Sequence, residues 1–278
     1  MQGRLEGDAH EAIWSNPEKI PDRIIDHFTG LGCTDIAVLG LSLSGLVTPD
    51  GSLKKSDRLD EILRKHGRSP SKFRNLPLRE SLLARLPQAR VAVVNDAAAA
   101  GMAGAIEGAT PVLVMALGTW PAISIAERGD SKVHIRLAQK FMRATVQTPR
   151  GEKKISSALS NKAMARLGGP EKARRVGNAI AAVLNMYAEC FGGAYPRTVR
   201  LLGGNSLLGG LHPNWKSWLD PTALERLKDT DVHLPESYEA QSLLHLRGAA
   251  ACAELPVKLS AMVHCRRRRR KKGDRQVV

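Results

Sequence analysis

VAVVNDAAAAG, residues 91–101, decides how this chain is read. Four apolar, mostly β-branched residues, Val91, Ala92, Val93 and Val94, run straight into Asn95 and Asp96, and a helix-forming alanine run follows. The pattern predicts a buried strand that delivers an acid to a helix N-terminus. At such a junction backbone amides and the helix dipole stabilise charge, and a substrate at the mouth of a sheet can reach the carboxylate. The same pattern is satisfied if Asp96 only caps the alanine helix. The rest of the chain has to separate the two.

Upstream, Ile20, Ile24, Ile25 and Phe28 recur at helical spacing across 19–30, with Gly30 and Gly32 as a stop signal. A buried strand is expected at 35–43 (DIAVLGLSL), ending at Ser44 and Gly45, where small residues allow close approach of another group. Thr48-Pro49-Asp50-Gly51 reads as a turn, and two polar helices are expected at 59–66 and 78–86. Downstream, the alanine helix runs over 97–107. A continuously apolar strand at 111–117 stops at Gly118-Thr119, and 122–126 returns from that turn. Further strands are expected within 133–147, helices at 156–167 and 171–191, a strand at 199–202 leading to Gly203-Gly204-Asn205, and a last helix at 240–253. Helices and strands that alternate and then meander argue an α/β protein.

Composition narrows the class. At 278 residues and 43% hydrophobic content the chain can build one large domain or two modest ones, and with 4% aromatics its core must come from Leu, Ile, Val and Ala. No stretch approaches the roughly 18 uninterrupted apolar residues of a membrane span, and 1–10 is too polar for a signal peptide, so a cytoplasmic protein is expected. Cys33, Cys190, Cys252 and Cys265 form no CxxC pair, which predicts reduced thiols, and the eight histidines show no metal-ligand spacing. Of the net charge of +15, +7 sits in 266–278. The run 266–272 is an electrostatic footprint that nucleic acid, another polyanion or a nuclear import receptor would satisfy, and that a solvated tail satisfies equally.

Three strands thus end in small-residue loops: Ser44-Gly45, Gly118-Thr119 and Gly203-Gly204. A bare backbone there can turn several N–H groups onto one anion, although any tight turn asks for the same residues. Taken in order, four stretches resemble the ROK family of sugar kinases and repressors, members of the actin-like ATPase superfamily, over about 19–254. IAVLGLSLSGLVTPDGSL resembles the strand, loop and turn beside the sugar. NLPLRESLLARLPQARVAVVNDAAAAGMAGA resembles the helix and the strand bearing the Asn-Asp pair. VLVMALGTWPAISIA resembles the second phosphate hairpin, and NAIAAVLNMYAECFGGAYPRTVRLLGGNSLLGG the helix, strand and glycine turn that hold adenosine.

The resemblance implies an α/β, actin-like (ribonuclease H-like) two-domain sugar-kinase fold, N-terminally shortened. One domain would span 1–108 with the terminal helix 240–254 packed on it, the second 109–239, and 255–278 would be linker and basic tail. It implies Asp96 as general base for a sugar hydroxyl attacking the γ-phosphate of ATP with Mg2+, and Asn95, Ser44 and Gly45 beside the sugar. Gly118 and Thr119 would face the phosphates, and Gly203 and Gly204 would flank adenosine. A small-molecule sugar is the expected ligand, and a homodimer a candidate assembly.

Departures from the family pattern accompany these matches. The aspartate-glycine-glycine-threonine phosphate loop would lie upstream of the first residue, and the second hairpin reads Gly118-Thr119-Trp120-Pro121, where Pro121 has no N–H to donate. The sugar-binding Glu-x-Gly-His aligns with Lys140, Phe141, Met142 and Arg143, and the zinc loop is replaced by QTPRGEKKISSALSNKA. With no helix-turn-helix segment ahead of the fold, the repressor branch is disfavoured. Two functions remain: a carbohydrate kinase, or a non-catalytic protein of the same fold that binds a sugar or sugar phosphate.

Overall fold

The computed structural model describes residues 12–69, 75–108, 110–117, 121–149, 151–191, 195–203, 214–234 and 236–261. In chain order the elements are α1 (Ile20–Gly30), β1 (Val38–Leu43), β2 (Leu46–Val47), β3 (Leu53–Lys55), α2 (Asp57–Lys65), α3 (Leu78–Leu83), β4 (Arg90–Asn95) and α4 (Asp96–Ile106). There follow β5 (Val112–Leu117), β6 (Ala122–Arg128), β7 (Val133–Leu137), β8 (Thr145–Thr148), β9 (Gly151–Lys154), α5 (Ile155–Ala158), α6 (Asn161–Met164) and α7 (Gly169–Phe191). The chain closes with β10 (Thr198–Gly203), α8 (Pro221–Leu227), β11 (Asp231–His233), α9 (Tyr238–Glu254) and β12 (Val257–Ala261).

Two sheets organise them. β1 and β4 pair in parallel, and a six-stranded sheet runs in the order β11-β10-β5-β6-β7-β12. In the larger sheet β5, β6 and β7 form an antiparallel meander, while β10, β11 and β12 add in parallel to β5, β10 and β7. The continuous apolar run of β5 is explained by burial on both faces. Leu113, Met115 and Leu117 point to one face, where Val176, Ile180, Val183 and Leu184 of α7 cover them. Val112, Val114 and Ala116 point to the other, against the alanines of α4 and Ala249 and Ala251 of α9. A third cluster, from Ile13 to Val93, packs α1, α2 and α3 around β1 and β4.

The two helical layers hold on differently. Each large α7 side chain removed from water contributes about 1.5–3 kcal/mol, whereas each α4 alanine offers a single methyl of about 0.8 kcal/mol. Area anchors α7; α4 is anchored by fit. It is buried all round because the sheet lies on one side and α9 on the other. A Cβ on Gly248 of α9 would fall 1.7 Å from the Ala99 carbonyl oxygen, and one on Gly40 of β1 would fall 2.3 Å from the Ala249 backbone. α9 therefore crosses both α4 and β1 backbone to backbone.

The structure departs from expectation in places. The helix expected over 156–167 is two short ones, α5 and α6. Val257–Ala261, expected as linker, is a strand at the edge of the six-stranded sheet, in register with β7. Short β2, β3 and β11, and α8 capped by the Asp220 carboxylate, carry too few residues to show periodicity. Cys33 and Cys252 are not joined in disulfides, but Cys190 is disulfide-bonded, which its isolated position in the sequence did not foretell. No helix among the described residues is long and apolar enough to cross a membrane. The basic run 266–272 lies outside the described residues.

The contact at Gly248 yields a stability prediction. Since the added Cβ meets backbone that cannot rotate away, Gly248→Ala should lower unfolding free energy by about 3 kcal/mol, the upper end for an overpacked core. Urea denaturation followed by circular dichroism measures it, and a variant as stable as the parent would show that the helices can part at no cost.

Candidate functional site

The parallel register of β1 and β4 pairs Leu43 with Asn95, so Ser44-Gly45 and Asp96 leave adjacent strands at one edge. Asn95 then joins them. Its side-chain nitrogen donates to the Gly45 carbonyl at 2.8 Å, and its side-chain oxygen accepts the Ala97 N–H at 3.0 Å as N-cap of α4. The loop is pinned from a second side, where the buried Ser56 hydroxyl donates to the Ser44 carbonyl at 2.6 Å. Gly45 has φ +153°, and a Cβ there would lie 2.5 Å from the Lys55 carbonyl, so only glycine fits between β3 and β4.

Capping, a sufficient reason for Asp96 on sequence grounds, is performed by Asn95. Asp96 is the first helical residue, and one of its oxygens shares the Ala97 N–H at 2.8 Å. Desolvation dominates its titration: burial raises its pKa to about 6, against the opposing pull of the Ala97 N–H and the Asn95 side chain. The pair of strand ends thus carries a half-buried carboxylate that is ionised at neutral pH and basic for its type.

A residue that sequence reasoning passed over holds this helix in place. Ser124, fully buried on β6, donates its hydroxyl to the Ala97 carbonyl at 2.6 Å and so ties the first turn of α4 to the six-stranded sheet. Its signal was slight, a single polar residue within the apolar AISIA of 122–126. Gly101 of α4 faces the same hydroxyl, where a Cβ would come within 3.1 Å.

On the six-stranded sheet, β10 pairs with β5 so that Gly203 stands opposite Leu117. The strands leading to the other two glycine turns therefore end side by side. The Gly203 N–H donates to the Gln241 side chain of α9 at 3.3 Å. Gly118, Thr119 and Gly204 lie outside the described residues, as does Trp120. Of the stretch aligned with the sugar-binding motif, Phe141 and Met142 are buried in the core cluster under α7, and Arg143 is exposed. Among the described residues no group of three or more His, Cys, Asp or Glu could hold a metal ion.

The architecture is an actin-like α/β fold, with paired strand ends on each of two sheets. It is the fold of solved ROK-family sugar kinases. An inorganic polyphosphate/ATP-glucomannokinase from Arthrobacter sp. strain KM superposes with a TM-score of 0.54 at 19% identity, covering 86% of this chain and 83% of that one. A ROK family glucokinase from Streptomyces griseus, solved with glucose and AMPPNP, gives 0.53 at 18% identity over 86% and 89% of the two chains. A ROK family transcriptional regulator, a homolog of the E. coli MLC protein, gives 0.51 at 13% identity over 85% and 70%. At these identities the likeness is one of fold. No protein-family model and no curated protein sequence matches the chain.

Two measurements probe the junction. Asn95→Ala removes the cap and leaves the Gly45 carbonyl without its donor, so it should cost about 2 kcal/mol in chemical denaturation. Asp96→Asn should behave in the opposite sense. A folded-state pKa above the unfolded value makes the contribution of Asp96 to stability fully present below about pH 4 and lost as pH rises through 6. The asparagine variant lacks that loss and should exceed the parent by about 1–2 kcal/mol at pH 7, allowing for partial exposure, with the difference gone at pH 4. Equal pH profiles for parent and variant would contradict the raised pKa.

Proposed function

We propose that this protein is an ATP-dependent sugar kinase in which Asp96 is the general base. The observation that carries the reading is the Asp96 carboxylate itself. It stands where β1 and β4 end together, is not needed as a cap, and has a pKa of about 6. A base with a pKa near 6 is ionised at pH 7 and strong enough to accept a hydroxyl proton as the oxygen becomes a nucleophile. In the proposed step a sugar hydroxyl gives its proton to Asp96 while its oxygen bonds to the γ-phosphorus, and the bond from that phosphorus to the β-phosphate oxygen breaks to release ADP.

Asn95 sets the geometry. With both ends of its amide engaged, it fixes the Ser44-Gly45 backbone against the first turn of α4, which shapes the wall beside the sugar. Gly203, with the turns around Gly118, Thr119 and Gly204, would receive the nucleotide. Mg2+ would arrive on the phosphates of ATP and neutralise the charge that gathers there.

A second reading is supported by the alignment that sets two cations, Lys140 and Arg143, against the family's sugar-binding glutamate and histidine, since cations suit an anionic ligand better than a neutral hexose. In that reading the protein binds a sugar or sugar phosphate without phosphoryl transfer.

A coupled ADP-release assay over a panel of hexoses and amino sugars with MgATP tests the proposal. Turnover with at least one sugar is expected, with kcat/KM rising through about pH 6, and Asp96→Asn should lower it on the order of 1,000-fold. Absence of turnover by folded protein, together with saturable calorimetric binding of a sugar or sugar phosphate, would replace the kinase by the binding protein.

A further inference from the structure

We propose that a cavity between β10, the end of β11 and the first half of α9 is a binding site for a small carboxylate with an apolar body, such as an aryl or branched-chain acid. The cavity measures about 320 Å3, within the usual range for small-ligand pockets. Its walls are apolar, formed by Leu202 of β10, Leu234 after β11, and Leu243 and Leu244 of α9. Leu243 remains 37% exposed. An apolar body would cover it.

Cationic groups are set against those walls. Arg200 projects from β10 with its side chain 14% exposed, and one of its terminal nitrogens pairs with the Glu107 carboxylate at the C-cap of α4. A guanidinium carries five donors, and in this one the buried Nε has no partner. That nitrogen lies over Gly104 of α4, 3.4 Å from where a Cβ would stand. Arg247, one turn beyond Leu243 on α9, reaches the same cavity from its exposed side and has no ion-pair partner among the described residues. Glu107 is already engaged with Arg200, and His233 and Glu236 complete the lining. A carboxylate entering here would give Arg247 an ion pair and supply acceptors to the under-used guanidinium of Arg200, while its hydrocarbon part displaces water from leucine surface.

The site is separate from the Asp96 junction. Asp96 is the first residue of α4 and Glu107 its C-cap, so the two stand at opposite ends of an 11-residue helix, roughly 16 Å apart. A ligand here would lie against both α9 and β10, and would thereby brace the helix that crosses α4 and β1 against the larger sheet.

The test titrates the full chain by calorimetry with 3-phenylpropionate, L-phenylalanine and 4-methylpentanoate, and with 3-phenylpropanol and phenethylamine, which lack the carboxylate. The carboxylates should saturate with a Kd on the order of 0.1–1 mM, what about ten heavy atoms can reach, and the two controls should bind at least tenfold more weakly. Two substitutions at exposed positions leave the core intact: Arg247→Glu should weaken the carboxylates tenfold or more, and Leu243→Trp should fill the cavity and abolish binding. Failure of all three carboxylates to saturate below about 10 mM would overturn the proposal. So would equal binding by the controls, indifference to both substitutions, or displacement of the carboxylate by AMPPNP, which would make the cavity part of a nucleotide site.

Discussion

The molecule depends on one close contact, the crossing of α9 over α4 and β1 with no side chain between the backbones. Glycine at 248 and at 40 permits it, and the alanines of α4 extend it along the helix. This approach lets a single helix layer serve two sheets at once, touching β1 and β4 on one side of the molecule and covering α4 on the six-stranded sheet. Asp96 owes its position to the same geometry. The helix that carries it is clamped along its length by α9 and held at its first turn by Ser124 from below and by Asn95 from the side.

Two partly buried carboxylates show why environment, and not residue type, marks the candidate site. Burial also pushes the Glu127 pKa upward, but the Tyr187 hydroxyl at 2.5 Å and the Arg136 guanidinium more than offset it, and the group ends below its ordinary value. Glu127 is thereby committed to a structural network on β6, β7 and α7. Asp96 has no cation beside it among the described residues, and the Ala97 N–H, the Asn95 side chain and its own backbone do not offset burial, so desolvation prevails and the carboxylate stays basic for its type.

Much of this was legible in the sequence because the central strands are apolar without alternation. Runs such as VAVV at 91–94 and VLVMAL at 112–117, short, rich in valine and closed by small residues, read as strands covered on both faces, and the small residues mark where the chain turns. Less local features were not legible. Spacing cannot say which of two adjacent polar residues caps a helix, so the division of labour between Asn95 and Asp96 had to be seen in the hydrogen bonds. Phe141 and Met142, aligned with a sugar-binding motif, turned out to fill the core because the short 3-10 helix at Gln139–Arg143 points them inward. The carboxylate cavity draws its lining from segments near 107, 200, 234 and 243, and no window of sequence contains it.

The alanine-rich helix has a further consequence, one that concerns inheritance. A single base change that replaces alanine yields valine, threonine, serine, proline, glycine or an acidic residue. At α4 nearly all of these add volume or charge where α9 and the sheet leave none, or break the helix outright. Silent third-position changes aside, the segment from Ala97 to Ala105 therefore admits almost no neutral replacement, and amino-acid drift in this protein must be channelled into its outer helices and hairpins, leaving the crossing nearly frozen.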